Sequence, residues 1–395
     1  MKIDFNRKIY DLVSGNKDIL EFLSANGFEN LRDKEMLENF GRKISLKDAL
    51  KLKNINSDIF RENLEVFMEN KNEFKSEDSD FRGYINGKDV AIEGVLPCPI
   101  RMPLVDAVDD YINSCERDFN IFHFLNPASN GIEDIKKKLS SDNIEKYPDI
   151  ITSAGFEFFF SNRVRNLMEN GIYSTNLFEI NNEFEAKGID LKDPKGNYQI
   201  LGVVPAVFIV NKKLLGNINM PRFWKDILSS EFENKVSIPF MDLDLFNAIV
   251  LSIYAKYGID GINNLKRSFY RNLHPAQMIK TNGNQAIVSI APYFFTTMIK
   301  DENLEVIWPE DGAIISPIFM ITRKNIVNVN QVSEFFNSEK IGSIFSFNGN
   351  FPTTNAKIDN NLNSSYKYMW TGWDFIYNND IEELINEFSE MFSEE

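Results

Sequence analysis

Cysteine and histidine are almost absent from these 395 residues, with two of each. Cys98 and Cys115 permit one disulfide at most and form no zinc signature, and His123 and His274 alone exclude a site rich in histidine ligands. Basic charge is also scarce. The 43 lysines and arginines stand against 58 aspartates and glutamates, and the formal net charge of -15 opposes general attraction to nucleic-acid phosphates or anionic lipid. No apolar run is long enough to cross a bilayer. Met1 to Arg7 leads straight into an amphipathic helix pattern, which predicts a cytosolic chain or a mature form whose leader has been removed. Low-complexity tracts and internal repeats are missing. So are a Gly-x-Ser-x-Gly elbow, a phosphate loop and a dinucleotide fingerprint, which leaves little basis for catalysis.

What remains is a soluble globular composition, 43% hydrophobic and 26% charged, and a length that implies two or three domains. Aromatic residues make up 13% of the chain, and its 34 Phe read as core. Ile9, Leu12, Val13, Ile19, Leu20, Phe22 and Leu23 recur at helical spacing. Gly27 reads as a helix stop, and Ser45 reads as the cap of a helix through Leu50. Residues 1–75 are therefore predicted to form a small helical domain. The polar, strand-poor residues 76–87 are predicted to be a linker.

After the linker the pattern changes to strands alternating with helices. Val90 to Val95 reads as a buried strand, the helix pattern from Pro103 follows, and strands are predicted at Asn120 to Leu125 and Pro148 to Gly155, with a helix from Gly131 to Leu139 between them. This β-α-β-α-β order predicts a mostly parallel sheet. The loops Leu96–Arg101 and Thr152–Phe156 then share one edge. A second α/β unit begins with a helix opening at Pro221 and a short strand ending at Pro239, followed by helices Leu245 to Tyr257 and Asn263 to Tyr270 and a strand Leu304 to Trp308. Two long extended runs, Tyr198 to Val210 and Ala313 to Thr322, each contain a proline. Pro205 demotes the first to an edge or crossing segment. Crossing runs on either side of an α/β unit suit a two-lobed protein with a hinge.

The first segment resembles the small helical domain of unknown function that anaerobic bacteria fuse to redox and metal-handling proteins. The resemblance rests on Ile9-Tyr10-Asp11-Leu12, Leu20-Glu21-Phe22-Leu23, Asn26-Gly27-Phe28 and the Ser45-to-Leu50 helix start. Many members carry cysteines just after that glycine, whereas here Glu29-Asn30-Leu31-Arg32 follows.

The remaining three quarters resemble an extracytoplasmic solute-binding protein of an ABC transporter, of the two-lobed type that binds iron or small anions. The segments that carry this are Val90–Pro103, Thr152–Gly155, Gly202–Asn211, Gly283–Ile287, Pro309–Gly312 and Phe345–Asn355. The resemblance implies an α/β, type II periplasmic-binding-protein-like fold behind the all-α domain. Residues 88–203 and 312–395 would be lobe 1, and 204–311 lobe 2. Ferric-binding relatives use two adjacent tyrosines just after the strand at Ala286–Ile290, whereas here Pro292-Tyr293-Phe294-Phe295 follows. One phenolate is a poor ferric site, since hard cations want several oxygen ligands.

The expected ligand contacts are Leu96, Pro97, Cys98 and Arg101 from the first loop, Thr152, Ser153, Ala154 and Gly155 from the second, and Pro239, Met241, Asp242, Asn282, Asn284 and Tyr293 from the other lobe. Arg101 would pair an anion, and Thr152 and Ser153 would supply hydroxyl donors. Trp370 and Trp373 read as packing residues. The expectation is a binding protein that closes on a small anion, organic acid or metal complex, without a cofactor or resident metal. Its partners would be that ligand and, through the helical domain, a permease or another protein. A cytosolic enzyme on the same scaffold, with Cys98 as nucleophile, is the alternative.

Overall fold

The computed structural model describes residues 3–14, 16, 19–20, 22–23, 28, 31, 36–52, 60, 64, 88–114, 116–127, 132–240, 243–272, 278–279 and 286–393. The expected linker 76–87 and the residues Gly27, Met241, Asp242, Asn282 and Asn284 lie outside them. The chain separates into two compact units, Met1–Ile85 and Asn86–Glu395.

In the first unit, helix α1 (Ile9–Ser14) buries Ile9, Leu12 and Val13, as the spacing predicts, and helix α2 (Leu46–Leu52) buries Leu46, Ala49 and Leu50 beside them. Phe60 gathers Phe5, Phe22 and Phe28 in edge-on ring contacts. Ser45 starts α2 in the expected way. Its Oγ accepts the Asp48 N–H at 3.1 Å and donates to the Asp48 carboxylate at 2.6 Å, so a first-turn amide is satisfied.

The second unit is built on an eleven-stranded mixed sheet. Its strands are β1 (Val90–Leu96), β2 (Ile121–Pro127), β3 (Ile150–Ala154), β4 (Tyr173–Ser174), β5 (Gln199–Asn211), β6 (Val236–Ile238), β7 (Phe269–Asn272), β8 (Val288–Pro292), β9 (Leu304–Ile307), β10 (Ala313–Arg323) and β11 (Tyr368–Met369). The main order is β2-β1-β3-β10-β5-β8-β6-β7, with β4 and β11 on β10 and β9 on β5. Each flank is parallel inside, β1 with β2 and β3 on one side and β6 with β7 and β8 on the other. The two long runs β5 and β10 lie at the centre and are antiparallel to each other, to β3 and to β8. The sheet is therefore less parallel than the alternation predicts, because both crossing strands carry the chain back against the flanks they join. This is the two-lobed architecture with hinge crossings.

Pro205 sits in a central strand, not at an edge. Along its side of β5, the Val203 N–H donates to the Pro352 carbonyl and the Asn211 N–H to Ile287, each within 3 Å. Pro205 falls between these two neighbours, where the 352–354 segment gives way to β8, so its missing N–H removes no ladder bond.

Two helices differ from expectation. Helix α3 (Cys98–Asn113) begins five residues before Pro103, with Pro99 in its first turn and Pro103 inside. The Ile100 and Arg101 N–H groups both turn to the Pro97 carbonyl at 3.2 Å, which starts the turn early. The two predicted helices after Pro239 join as α4 (Leu243–Ser268), broken only at Gly258 with φ 64°, and Phe269 and Tyr270 leave it for β7. One apolar cluster packs β1 and α3 with Ile344, Phe345 and Phe351. A larger one joins the centre of the sheet to α4 and to the C-terminal helix Ile381–Ser393. Phe156, Phe159 and Phe160 pack their rings around Phe319 in the second cluster, as a Phe-rich core requires.

Candidate functional site

Parallel pairing decides which loops meet. Val95 is in register with Ser153, so the loops after β1 and β3 leave the sheet together. On the other flank Ser237 is in register with Ser289, which sends the residues after β6 and β8 out side by side. The carboxyl ends of strands in an open α/β sheet are where ligands gather.

The two flanks touch at these ends. Gly155 holds φ +82° and packs so tightly against the first turn of α4 that a Cβ there would lie 2.3 Å from Asp244 Oδ1. The Ser316 hydroxyl of β10 donates to the Asp244 carbonyl at 3.1 Å. Gly349 is equally close to α3, where a Cβ would fall 2.5 Å from Ile100 Cγ2. The stretch after residue 344 is thus seated on the β1 loop, while Tyr293 projects from the end of β8. Between them lies a cavity of about 20 Å3 lined by Tyr293, Ser346, Asn350, Pro352, Asn360 and Leu362.

Tyr293 is half-buried and fixed from behind. Its ring meets Trp308 edge-on at 5.3 Å, and Trp308 stacks on Tyr366 at 4.2 Å while its indole N–H donates to the Lys367 carbonyl at 2.6 Å. Burial, and secondarily Tyr366, pushes the Tyr293 phenol above its ordinary range. Ser346 is 7% exposed, and its hydroxyl has no hydrogen-bond partner among the described residues. Asn350 holds φ +48°, a left-handed conformation that asparagine tolerates.

Of the nominated residues that the structure describes, Tyr293 alone lines this cavity. Leu96, Thr152, Ser153, Ala154 and Pro239 are buried beneath the loops, and Ser153 Oγ donates to the Ala154 carbonyl at 3.3 Å. Thr152 Oγ1 is buried without a hydrogen-bond partner among the described residues. Arg101 is turned inward. It is 8% exposed, and its Nε–H donates to the Leu125 carbonyl at 2.9 Å, which braces the start of α3 against β2 in place of the expected anion contact. Pro97 is half-buried and spends its carbonyl on the helix start. Cys98 opens α3, and its side chain lies outside the described residues.

Sequence reasoning missed Asn360 and Leu362, and it met Ser346, Asn350 and Pro352 only inside the resembling stretch Phe345–Asn355. The signal available was Gly349-Asn350 before Pro352, a turn composition that places Asn350 but gives no hint of Ser346. Phe294 stands in the second position of the tyrosine pair that the resemblance leads one to expect, and it packs against Phe351 and Phe295. No three His, Cys, Asp or Glu among the described residues are grouped to hold a metal ion, and none of the helices there is long and apolar enough to cross a membrane.

Residues 145–379, more than half of the chain, match the family model described as bacterial extracellular solute-binding protein. Residues 3–61 match that of a domain of unknown function. No curated protein matches. Among solved structures, the apo ferric ion-binding protein A of Pasteurella haemolytica is similar over 76% of this chain and 98% of its own, at 14% identity and a TM-score of 0.56. A Trichodesmium protein in complex with iron and citrate is similar over 77% and 98%, at 11% identity and 0.55. An ABC transporter protein of Clostridium perfringens follows at 76% and 99%, with 15% identity and 0.53. At such identities the likeness is one of fold.

Proposed function

The chain belongs to the bacterial extracellular solute-binding proteins, and on that premise we propose that it captures a small solute between its lobes at the Tyr293 cavity. The lobes in this reading are residues 88–203 with 312–395, and residues 204–311. One observation carries it. Tyr293 comes from the end of β8, while Ser346 and Asn350 come from a stretch packed on β1 and α3, so a solute held there is gripped from both flanks. Closing a hinge over a bound group is how such an arrangement converts binding into a change of shape. The closed form then presents its solute to a membrane permease.

One of the similar proteins is named for ferric ion and another holds iron and citrate, yet support for direct ferric coordination is poor here. Among the described residues the lining offers one phenol, already biased toward its protonated form by burial, and no carboxylate. A hard trivalent cation needs several anionic oxygens. The test is calorimetry and thermal shift on the full-length protein, with small organic acids, oxyanions, ferric citrate and uncharged solutes, joined to small-angle scattering. We expect one class to raise the melting temperature with dose and to reduce the radius of gyration. If every class fails to bind, the capture reading is wrong.

A further inference from the structure

The lining of the Tyr293 cavity is uniform in one respect: none of its six residues carries a formal charge. Part of its hydrogen-bonding capacity is spent within the fold. Asn360 turns both amide hydrogens and its oxygen to the fold, Nδ2 donating to Glu183 Oε2 at 3.0 Å and to the Thr353 carbonyl at 3.1 Å, and Oδ1 accepting the Thr353 N–H at 2.8 Å. The Pro352 carbonyl accepts from Val203. Against this background the Ser346 hydroxyl, more than nine-tenths buried, has no partner among the described residues. A buried hydroxyl left unpaired costs stability, and its persistence points to a group that arrives later.

The chemistry of that group follows from what surrounds it. An ion entering here would lose its water and meet no opposite charge among the described lining residues, which is strongly unfavourable. A hydroxyl meets no such penalty. It both donates and accepts, as do Ser346, Tyr293 and the Asn350 amide, and a cavity of about 20 Å3 admits one group of that size. Resting on the solute-binding reading above, we infer that the cavity takes an uncharged hydroxyl group of a small polyol or sugar, with Ser346 as its anchoring contact.

The experiment titrates the full-length protein by calorimetry and thermal shift with two sets of probes. Ribitol, myo-inositol and glucose form one, and phosphate, citrate and ferric citrate the other. At least one uncharged probe is expected to bind, and Ser346→Ala is expected to weaken it tenfold or more. The same substitution should leave the melting temperature of the ligand-free protein unchanged or raised, because it deletes an unpaired group. A fall in that temperature would assign Ser346 a structural role and overturn the inference. Binding confined to the charged probes, or polyol binding that ignores Ser346→Ala, would overturn it while leaving solute capture standing. No binding in either set would remove both.

Discussion

At Gly155 two demands meet at one backbone position, a left-handed φ of +82° and a wall formed by Asp244. An alanine there would meet each separately. The conformation alone costs an L-residue about 1–2 kcal/mol, and the contact at 2.3 Å forces the Asp244 side chain out of its place. Gly155→Ala should therefore lower the urea midpoint. In an Asp244→Ala background the added loss should shrink to the conformational part, which a double-mutant cycle measures. A variant as stable as the parent would refute the close packing of these flanks. Legibility at this scale was uneven. Tyr293 could be found because it follows a strand in a position where the resemblance calls for tyrosine. Ser346 could not, because it lies in a five-residue π-turn, Ile344–Asn348, whose other members give no polar pattern. Arg101 misled because an arginine beside a loop reads the same whether it faces a ligand or, as here, the carbonyl of a neighbouring strand.

Among the elements, the segment 359–368 between the cavity and β11 depends on anchors more than on regular structure. Lys187, its side chain 8% exposed, reaches across to donate to the Asn363 and Tyr366 carbonyls at 3.0 and 3.1 Å. Asn360 is held to Glu183, and Tyr366 lies flat on Trp308. Removing the ammonium leaves two carbonyls short of a donor and Glu183 without its cation, so Lys187→Ala should cost about 2–3 kcal/mol, in line with hydrogen bonds from charged groups. Hydrogen exchange should show the loss concentrated in 359–368, and unchanged protection there would contradict the anchoring role. Trp308→Ala removes the backing of Tyr293, and we expect it to weaken any solute bound at the cavity by several-fold without unfolding the sheet. Intact solute affinity in that variant, measured by the same calorimetry, would show that the Tyr293 ring needs no such support. The strands themselves were readable, since β-branched runs ended by glycine and proline mark them without help from tertiary structure. Their boundaries with helices were not. Phe269 and Tyr270 continue the α4 pattern in sequence but enter β7 once the chain passes Ser268, and Phe269 pairs with Val236 of β6.

For the molecule as a whole, the order of elements was legible because alternation and crossing runs are properties of chain order, whereas the convergence of loops depends on register, which a sequence does not print. The division into units follows a similar logic. Among the described residues, the apolar cluster around Phe60 is drawn from Met1–Ile85 and the clusters of the sheet from Asn86–Glu395. Separate cores predict separate cooperativity, and the smaller unit, with less surface to bury, should melt first. Ser45→Ala offers the probe. Losing the cap of α2 should cost about 1 kcal/mol, and calorimetry should show it as a shift in the first transition, with the second transition and the solute affinity untouched. Deleting Met1–Ile85 should likewise leave solute binding intact. A single transition that moves as a whole on Ser45→Ala would mean that the two units fold together, and the helical unit would then have to be counted as part of the solute-binding body.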